Sequence, residues 1–192
     1  MHIAVYCGAS LGTDPAYQEA AKKVGKWIAE KKHTLVYGGG KAGLMGVVAD
    51  EVLANQGEAI GVIPDFLVER ELSHPGLTTL EIVDSMTIRK NKMIALGDCY
   101  IALPGGPGTL EEIAEVISWA RVGQNNNPCI LFNQNGYYDS LARLYDEMVD
   151  NGFLSKQDRE RILFSDSLEE MEAFIFSYTP PEIRQYTTEV SS

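Results

Sequence analysis

Short apolar runs rich in β-branched residues alternate along this chain with longer amphipathic segments. The runs that predict strands cover residues 3–7, 34–37, 59–63, 79–83, 100–103 and 129–132. The segments between them space their apolar residues as one face of a helix does, and two further helices are predicted near 138–149 and 168–176. Since strands joined through helices pair in parallel with right-handed crossovers, the alternation predicts an α/β fold: a doubly wound, mostly parallel sheet flanked by helices.

The length of 192 residues is enough for one domain with a full hydrophobic core, since domains commonly hold ~100–200 residues. We therefore expect a single domain over residues 1–192, with a loosely held tail after about residue 178. The three cysteines are too few and too widely spaced for a disulfide framework or a zinc module, which favours buried, reduced thiols. Nothing resembles a secretory leader or a membrane helix of ~20 apolar residues, so a cytoplasmic protein is expected.

The acidic charge balance of the chain limits the kinds of partner that it can bind. The chain carries 16 Lys+Arg against 27 Asp+Glu, for a formal net charge of -11, and has no long basic run. A nucleic-acid partner is therefore disfavoured, because such a face must neutralise phosphates with clustered Lys and Arg. A small phosphorylated ligand needs only one local positive spot and stays compatible with this composition.

Three glycine-bearing loops directly follow predicted strands, at residues 7–10, 38–46 and 104–109. The carboxyl ends of parallel strands meet at one edge of a sheet, and doubly wound sheets bind their ligands at that edge. We therefore expect the functional site where these three loops meet.

The second loop contains the string Gly38-Gly39-Gly40-Lys41-Ala42-Gly43, which matches the G-x-G-x-x-G pattern of dinucleotide sites. The acid required about 20 residues later would be Glu58, which precedes its strand and so lies at the wrong end of the sheet. A nicotinamide-dependent oxidoreductase is disfavoured for this reason. Two interpretations stay open: the bare backbone approaches an anionic ligand, or the glycines form a tight strand-to-helix turn.

The third loop, Pro104-Gly105-Gly106-Pro107-Gly108, leads into Thr109-Leu110-Glu111-Glu112. Its glycines predict a nest of backbone N–H groups before a helix, which would hold a phosphate. The spacing places both acids in the first helical turn, where a simple phosphate site gains nothing from negative charge. We therefore expect Glu111 or Glu112 to address another part of the ligand. The alternative is a capping box formed by Thr109 and Glu112.

The densest positive cluster is Arg89-Lys90-Asn91-Lys92. A charge run on a helix usually forms a solvated face. This helix, however, directly precedes the strand that leads into the third loop. Arg89 could therefore project over the same edge of the sheet.

Three stretches together carry a family resemblance. They are Tyr37-Gly38-Gly39-Gly40-Lys41-Ala42-Gly43-Leu44-Met45-Gly46, Met86-Thr87-Ile88-Arg89-Lys90 and Pro104-Gly105-Gly106-Pro107-Gly108-Thr109-Leu110-Glu111-Glu112. They closely resemble the LOG ("lonely guy") family of cytokinin riboside 5′-monophosphate phosphoribohydrolases, which are often mislabelled as lysine decarboxylases. The resemblance implies a Rossmann-like fold, no metal or redox cofactor, and a homodimer with helices around residues 110–120 in its interface. It also implies hydrolysis of a purine nucleoside 5′-monophosphate, such as one with an N6-modified adenine, to free base and ribose 5-phosphate.

Carried over by position, the resemblance implies that Arg89 and Glu112 form the catalytic pair. The implied substrate contacts are Glu71, Lys90, Gly106, Pro107, Gly108, Thr109, Leu110, Glu111 and Ser118. Family members usually show Met-His-x-Arg-Lys, whereas Thr87 stands in the His position here. This difference leaves open which purine base the protein prefers. The decarboxylase label has no physical support, because no lysine is marked for a Schiff base to pyridoxal phosphate.

The main alternative is a nucleotide or phospho-cofactor binding protein without hydrolytic activity, resembling molybdenum-cofactor carrier proteins. The acidic pair distinguishes the two, because a carrier has little need of Glu112 beside its phosphate. No metal site is predicted, since His2, His33 and His74 are scattered and match no ligand spacing.

Overall fold

The computed structural model describes residues 1–68, 70 and 72–183. The strands are His2–Tyr6 (β1), Thr34–Tyr37 (β2), Glu58–Pro64 (β3), Thr79–Val83 (β4), Cys99–Ala102 (β5), Cys129–Phe132 (β6) and Ile162–Ser165 (β7). The helices are Pro15–Glu30 (α1), Gly43–Ala54 (α2), Asp65–Val68 (α3), Met86–Leu96 (α4), Pro107–Arg121 (α5), Asp139–Asp150 (α6), Lys156–Arg159 (α7) and Leu168–Ser177 (α8), with a 3₁₀ turn at Gln134–Gly136.

The strands form a seven-stranded sheet in the order β4-β3-β2-β1-β5-β6-β7, and every neighbouring pair is parallel. The predicted α/β class and parallel sheet are confirmed. The prediction of six strands was wrong by one, because it missed β7. This edge strand has only four residues and follows the four-residue helix α7, so no long amphipathic helix marks it in the sequence.

Hydrophobic cores cover both faces of the sheet. On one face α1, α2 and α8 pack through residues such as Val24, Leu44 and Met171. On the other face α4, α5 and α6 pack through a separate cluster that includes Met93 and Ile113. Alternation along β1 directs its odd residues to the first core and its even residues to the second, so the strand ends between the two layers.

The order of the strands reverses between β1 and β5. From β1 the chain crosses through α1 to β2 on one side, and from β5 it crosses through α5 to β6 on the other. The loops after β1 and β5 therefore diverge and leave a crevice at the carboxyl edge, which is the usual ligand position in doubly wound sheets.

The cysteines, the lengths of the helices and the tail of the chain can be compared with the predictions from the sequence. Cys7, Cys99 and Cys129 are free and buried, which confirms the expected core thiols. In the part of the chain that is described, no helix is long and apolar enough to cross a membrane. The predicted loose tail falls mostly on residues 184–192, which lie outside the described residues.

Candidate active site

The three glycine-bearing loops meet at the carboxyl edge of the sheet, as predicted. The Gly8 amide, just after β1, donates to the Pro104 carbonyl after β5 at 3.1 Å. The Gly8 carbonyl accepts a hydrogen bond from the Leu44 amide at the start of α2 at 3.0 Å. The loop after β1 therefore joins the other two loops into one rigid edge.

The second loop is built for close packing. Gly43 has a φ of +61°, and a Cβ on it would lie 2.2 Å from the carbonyl carbon of Ala9. The Leu44 amide at the amino end of α2 is used by Gly8 rather than being left for a ligand. Of the two interpretations left open by the sequence, the tight strand-to-helix turn accounts for Gly43.

We expect Gly43→Ala to lower the free energy of unfolding by about 2–5 kcal/mol, through a strained backbone and a clash with Ala9. Gly106→Ala is the matched control, because a Cβ there would meet no atom within 4 Å. That variant should change stability by less than about 1 kcal/mol. Urea unfolding of the two variants measures the difference, and equal stabilities would contradict the packing role of Gly43.

The third loop ends where α5 begins at Pro107, with Gly106 as the N-cap residue and no side-chain cap. The capping-box alternative was therefore wrong: proline starts the helix two residues before Thr109, whose buried side chain lies against Gly105 instead. The expectation of two acids in the first turn was wrong for the same reason. Glu111 and Glu112 lie in the second turn, beyond the amino end of the helix.

The amino end of α5 presents open backbone to a cavity. A Cβ on Gly106 or Gly108 would meet nothing within 4 Å, so both glycines border free space. The Leu110 amide donates to the Gly106 carbonyl at 3.2 Å, which closes the first turn. N–H groups before that point have no carbonyl partner within the helix, and such a helix terminus attracts anions.

The cavity has a volume of about 280 Å³ and lies beside the crevice between β1 and β5. Its lining combines the amino end of α5 and its acids with Arg89 and with an apolar wall of thioether and aliphatic side chains. The lining residues are Val5, Tyr6, Cys7, Gly8, Ala9, Gly38, Met45, Leu67, Met86, Arg89, Met93, Gly106, Pro107, Gly108, Thr109, Glu111 and Glu112.

Arg89 is buried, with 6% of its surface exposed, and it lines this cavity. Its Nε donates to the Val62 carbonyl in β3 at 3.1 Å, and its Nη2 donates to the Gly38 carbonyl after β2 at 3.2 Å. The solvated-face alternative was therefore wrong for Arg89, which projects over the carboxyl edge as expected. Two backbone carbonyls hold the guanidinium in one orientation.

Tyr6 and Cys7 line the cavity near the Glu112 carboxylate. Burial raises the pKa of the Cys7 thiol, and the negative charge of Glu112 raises it further. Burial and then Glu112 likewise raise the pKa of the Tyr6 phenol. Both groups are therefore neutral at physiological pH, and Cys7 lacks the thiolate that nucleophilic attack requires.

Lys90 is not among the residues that line the cavity, although it contacts Glu111, which is. Its ammonium lies 2.8 Å from Glu111 Oε1 and 3.2 Å from Glu115 Oε2, and the hydrogen bond with Glu111 raises the pKa of Lys90. Lys90 therefore neutralises acids of α5 and ties α4 to that helix.

Several other residues named from the sequence also lie outside the cavity lining. Leu110 and Ser118 are exposed on α5, and Thr87 is exposed on α4. Glu71 lies outside the described residues. The substrate-binding roles of Glu71, Lys90, Leu110 and Ser118 stay predictions.

The apolar wall of the cavity was not foreseen from the sequence. Met45 and Met93 are buried there, and Met86 and Leu67 are half-buried. Met45 and Met86 belong to the stretches that carry the family resemblance, which was the available signal. Among the described residues, no three His, Cys, Asp or Glu side chains group as metal ligands.

Known proteins resemble this chain in sequence and in fold. A family profile described as "Possible lysine decarboxylase" matches residues 45–174. A cytokinin riboside 5′-monophosphate phosphoribohydrolase of Arabidopsis thaliana is 42% identical over 93% of this chain and 82% of its own length. An enzyme of the same name from Rhodococcoides fascians is 42% identical over 87% of this chain and 85% of its own length.

The solved structure of a molybdenum cofactor binding protein from Rippkaea orientalis aligns with a TM-score of 0.67. It covers 92% of this chain and 95% of that protein, at 21% identity. Similarity at this level of identity shows a shared fold.

Proposed function

The chain belongs to the cytokinin riboside 5′-monophosphate phosphoribohydrolase family, and on this premise we propose that it hydrolyses the N-glycosidic bond of a purine nucleoside 5′-monophosphate. The products are the free base and ribose 5-phosphate. One observation carries the proposal: a single cavity joins the open amino end of α5 to Glu112 and the anchored Arg89. That arrangement offers a place for each part of such a nucleotide.

The 5′-phosphate binds at the amino end of α5. The glycines at positions 106 and 108 leave room for the anion to approach the backbone, and the helix terminus supplies N–H donors and a positive potential. Because Lys90 is engaged by Glu111 and Glu115, the backbone provides most of this attraction. Binding at this end places the sugar beside the second turn of the helix, where Glu112 lies.

Glu112 acts at the anomeric carbon. Cleavage of a ribosidic C–N bond passes through an oxocarbenium-like state, so a carboxylate beside the sugar stabilises the developing positive charge. The same carboxylate accepts a proton from the attacking water as its oxygen bonds to the anomeric carbon. The bond to the purine nitrogen breaks, the base leaves with the electron pair and takes up a proton from solvent, and Glu112 returns the proton that it accepted to solvent.

The base lies toward Arg89 and the thioether wall. The guanidinium, a planar group with several N–H donors, acts as a hydrogen-bond donor to the charge that develops on the departing purine. Met45, Met86 and Met93 provide flexible, polarisable surface around it. Such a wall adapts to substituents of different size on the exocyclic nitrogen, which supports N6-modified adenines as substrates alongside AMP.

We also propose that the protein works in the cytoplasm as a homodimer. Three free, buried thiols suit a reducing compartment. Ile88 on α4 and Leu110 on α5 are each 44% exposed, and the Lys90–Glu111 bond links these two helices. Apolar side chains on two joined helices support an interface that includes residues 110–120.

The test is incubation of the purified protein with AMP and with N6-isopentenyladenosine 5′-monophosphate, followed by chromatography of the reaction. We expect free adenine or free isopentenyladenine to accumulate with time. A preparation of Glu112→Gln made in the same way controls for contaminating hydrolases. Tight binding of both nucleotides without release of either base would contradict the proposal and favour the carrier.

A further inference from the structure

Gly38 is the one glycine of the cavity lining that lies at the end of β2, and its backbone does not require glycine. The positive φ values of Gly39 and Gly43 explain those two residues, whereas Gly38 lies outside the left-handed region. Its identity must therefore be explained by what surrounds the position of the missing side chain.

A Cβ on Gly38 would lie 2.0 Å from Nη2 of Arg89 and 3.2 Å from its Cζ. The next contact would be Met45 Sδ at 3.1 Å. All of these atoms stand at or near the ends of flexible side chains, so the fold can absorb an extra methyl group. The guanidinium of Arg89 cannot stay in its position if that methyl group is present.

The same residue also holds the guanidinium. The Gly38 carbonyl accepts the hydrogen bond from Nη2, while the Val62 carbonyl accepts the one from Nε. Gly38 therefore supplies both an acceptor and the empty space next to it. The Arg89 guanidinium can therefore lie directly against the backbone of Gly38 and still line the cavity.

We propose that Gly38 is a positioning residue for Arg89, and that the bare backbone at the end of β2 sets the place of the guanidinium in the active site. This inference rests on the proposed function only for its consequence in catalysis. The geometry of Arg89 can be tested separately from hydrolysis.

In Gly38→Ala we expect kcat to fall by about 10–100-fold, since a displacement of ~1 Å in an active site costs on the order of 10²-fold. The KM for the nucleotide should stay within about 3-fold, because the amino end of α5 that holds the phosphate is not touched by this methyl group. Gly76→Ala is the matched control: it lies outside the cavity, its nearest contact would be 3.3 Å from the His74 ring, and it should behave as wild type.

A double-mutant cycle with Arg89→Lys separates positioning from a general loss of structure. Lysine has no Nη2, so the methyl group of Gly38→Ala meets no such atom in that background. We expect the double variant to match Arg89→Lys alone within about 2-fold in kcat. The inference would be overturned if the fold losses in kcat of the two single variants multiplied in the double variant. It would also be overturned if the kcat of Gly38→Ala stayed within about 2-fold of wild type.

A crystal structure of Gly38→Ala gives a readout that does not depend on activity. We expect the Arg89 guanidinium to have left hydrogen-bond distance of the residue 38 carbonyl, with the sheet and α4 unchanged. A guanidinium still bonded to that carbonyl would overturn the inference even in an active enzyme. A displaced guanidinium in a protein whose wild type releases no base would leave the positioning role intact and refute the proposed function instead.

Discussion

Glu112→Gln is expected to lower kcat by about 10²–10⁴-fold, which is the contribution to rate that a general acid or base commonly makes. The dissociation constant for the nucleotide should change by only a few-fold, on the order of the effect of removing a group outside the phosphate site. The amide keeps the size of the side chain but removes the negative charge and the ability to accept a proton from water. The backbone N–H groups at the amino end of α5, where we propose that the phosphate binds, precede Glu112 by one turn and are unchanged by this substitution. Steady-state assays of base release and calorimetric titration of the nucleotide measure the two quantities.

Glu115→Gln is the matched control for this experiment. Glu115 lies one turn further along α5, bonds to Lys90 and does not line the cavity. Its variant should keep turnover within about 3-fold of wild type, as expected for a change outside the reacting groups. Turnover of Glu112→Gln in that same range would refute the role of Glu112.

The second large effect concerns the phosphate. We expect the nucleoside to be hydrolysed with a kcat/KM lower by about 10²–10⁴-fold than that of its 5′-monophosphate. A charge-assisted hydrogen bond from the amino end of α5 to the phosphate is worth about 1.5–3 kcal/mol, and the loss of about two such bonds gives this range. Binding energy from the phosphate holds the anomeric carbon against Glu112, so kcat should fall as well as affinity. Parallel progress curves with adenosine and AMP measure this ratio.

Gly106→Ala gives an independent test of the same contact. Its Cβ would project into space that borders the cavity, without meeting any protein atom within 4 Å. The variant should therefore raise the KM for AMP and leave the low activity toward adenosine unchanged. Equal kcat/KM for nucleotide and nucleoside in the wild type would remove the amino end of α5 from the mechanism.

The meeting of three loops at one edge was predictable from the sequence because it depends on rules of chain topology. Parallel strands joined by helices end at a common edge, so Gly8, Gly38 and Pro104 had to come close once the strands were identified. The order of the elements allowed Arg89 to lie over that edge, but the sequence left a solvated face open as the alternative. The position of Glu58 at the start of β3 likewise disfavoured a dinucleotide site.

Features that depend on helix register and side-chain reach were not predictable in this way. The capping-box alternative placed the start of α5 at Thr109, whereas the helix begins at Pro107 and the buried Thr109 side chain lies against Gly105. The approach of Arg89 to Gly38 joins residues 51 positions apart. Periodicity within one element carries no information about such a contact, and the methionine wall combines residues of α2 and α4 for the same reason.

Positive charge is present locally at the site, although the chain as a whole is acidic. A net charge of -11 disfavours a nucleic-acid partner, yet the cavity contains the buried cation of Arg89 and the positive end of α5. This arrangement suits one phosphate monoester beside one carboxylate.

The most direct measurement is the identity and ratio of the products formed from AMP. Adenine and ribose 5-phosphate should appear at equal rates and in equal amounts, with no adenosine and no inorganic phosphate at any time. Adenosine with inorganic phosphate would mean that the phosphoester bond is cleaved instead. Either that result, or no reaction with both AMP and N6-isopentenyladenosine 5′-monophosphate, would contradict hydrolysis of the N-glycosidic bond.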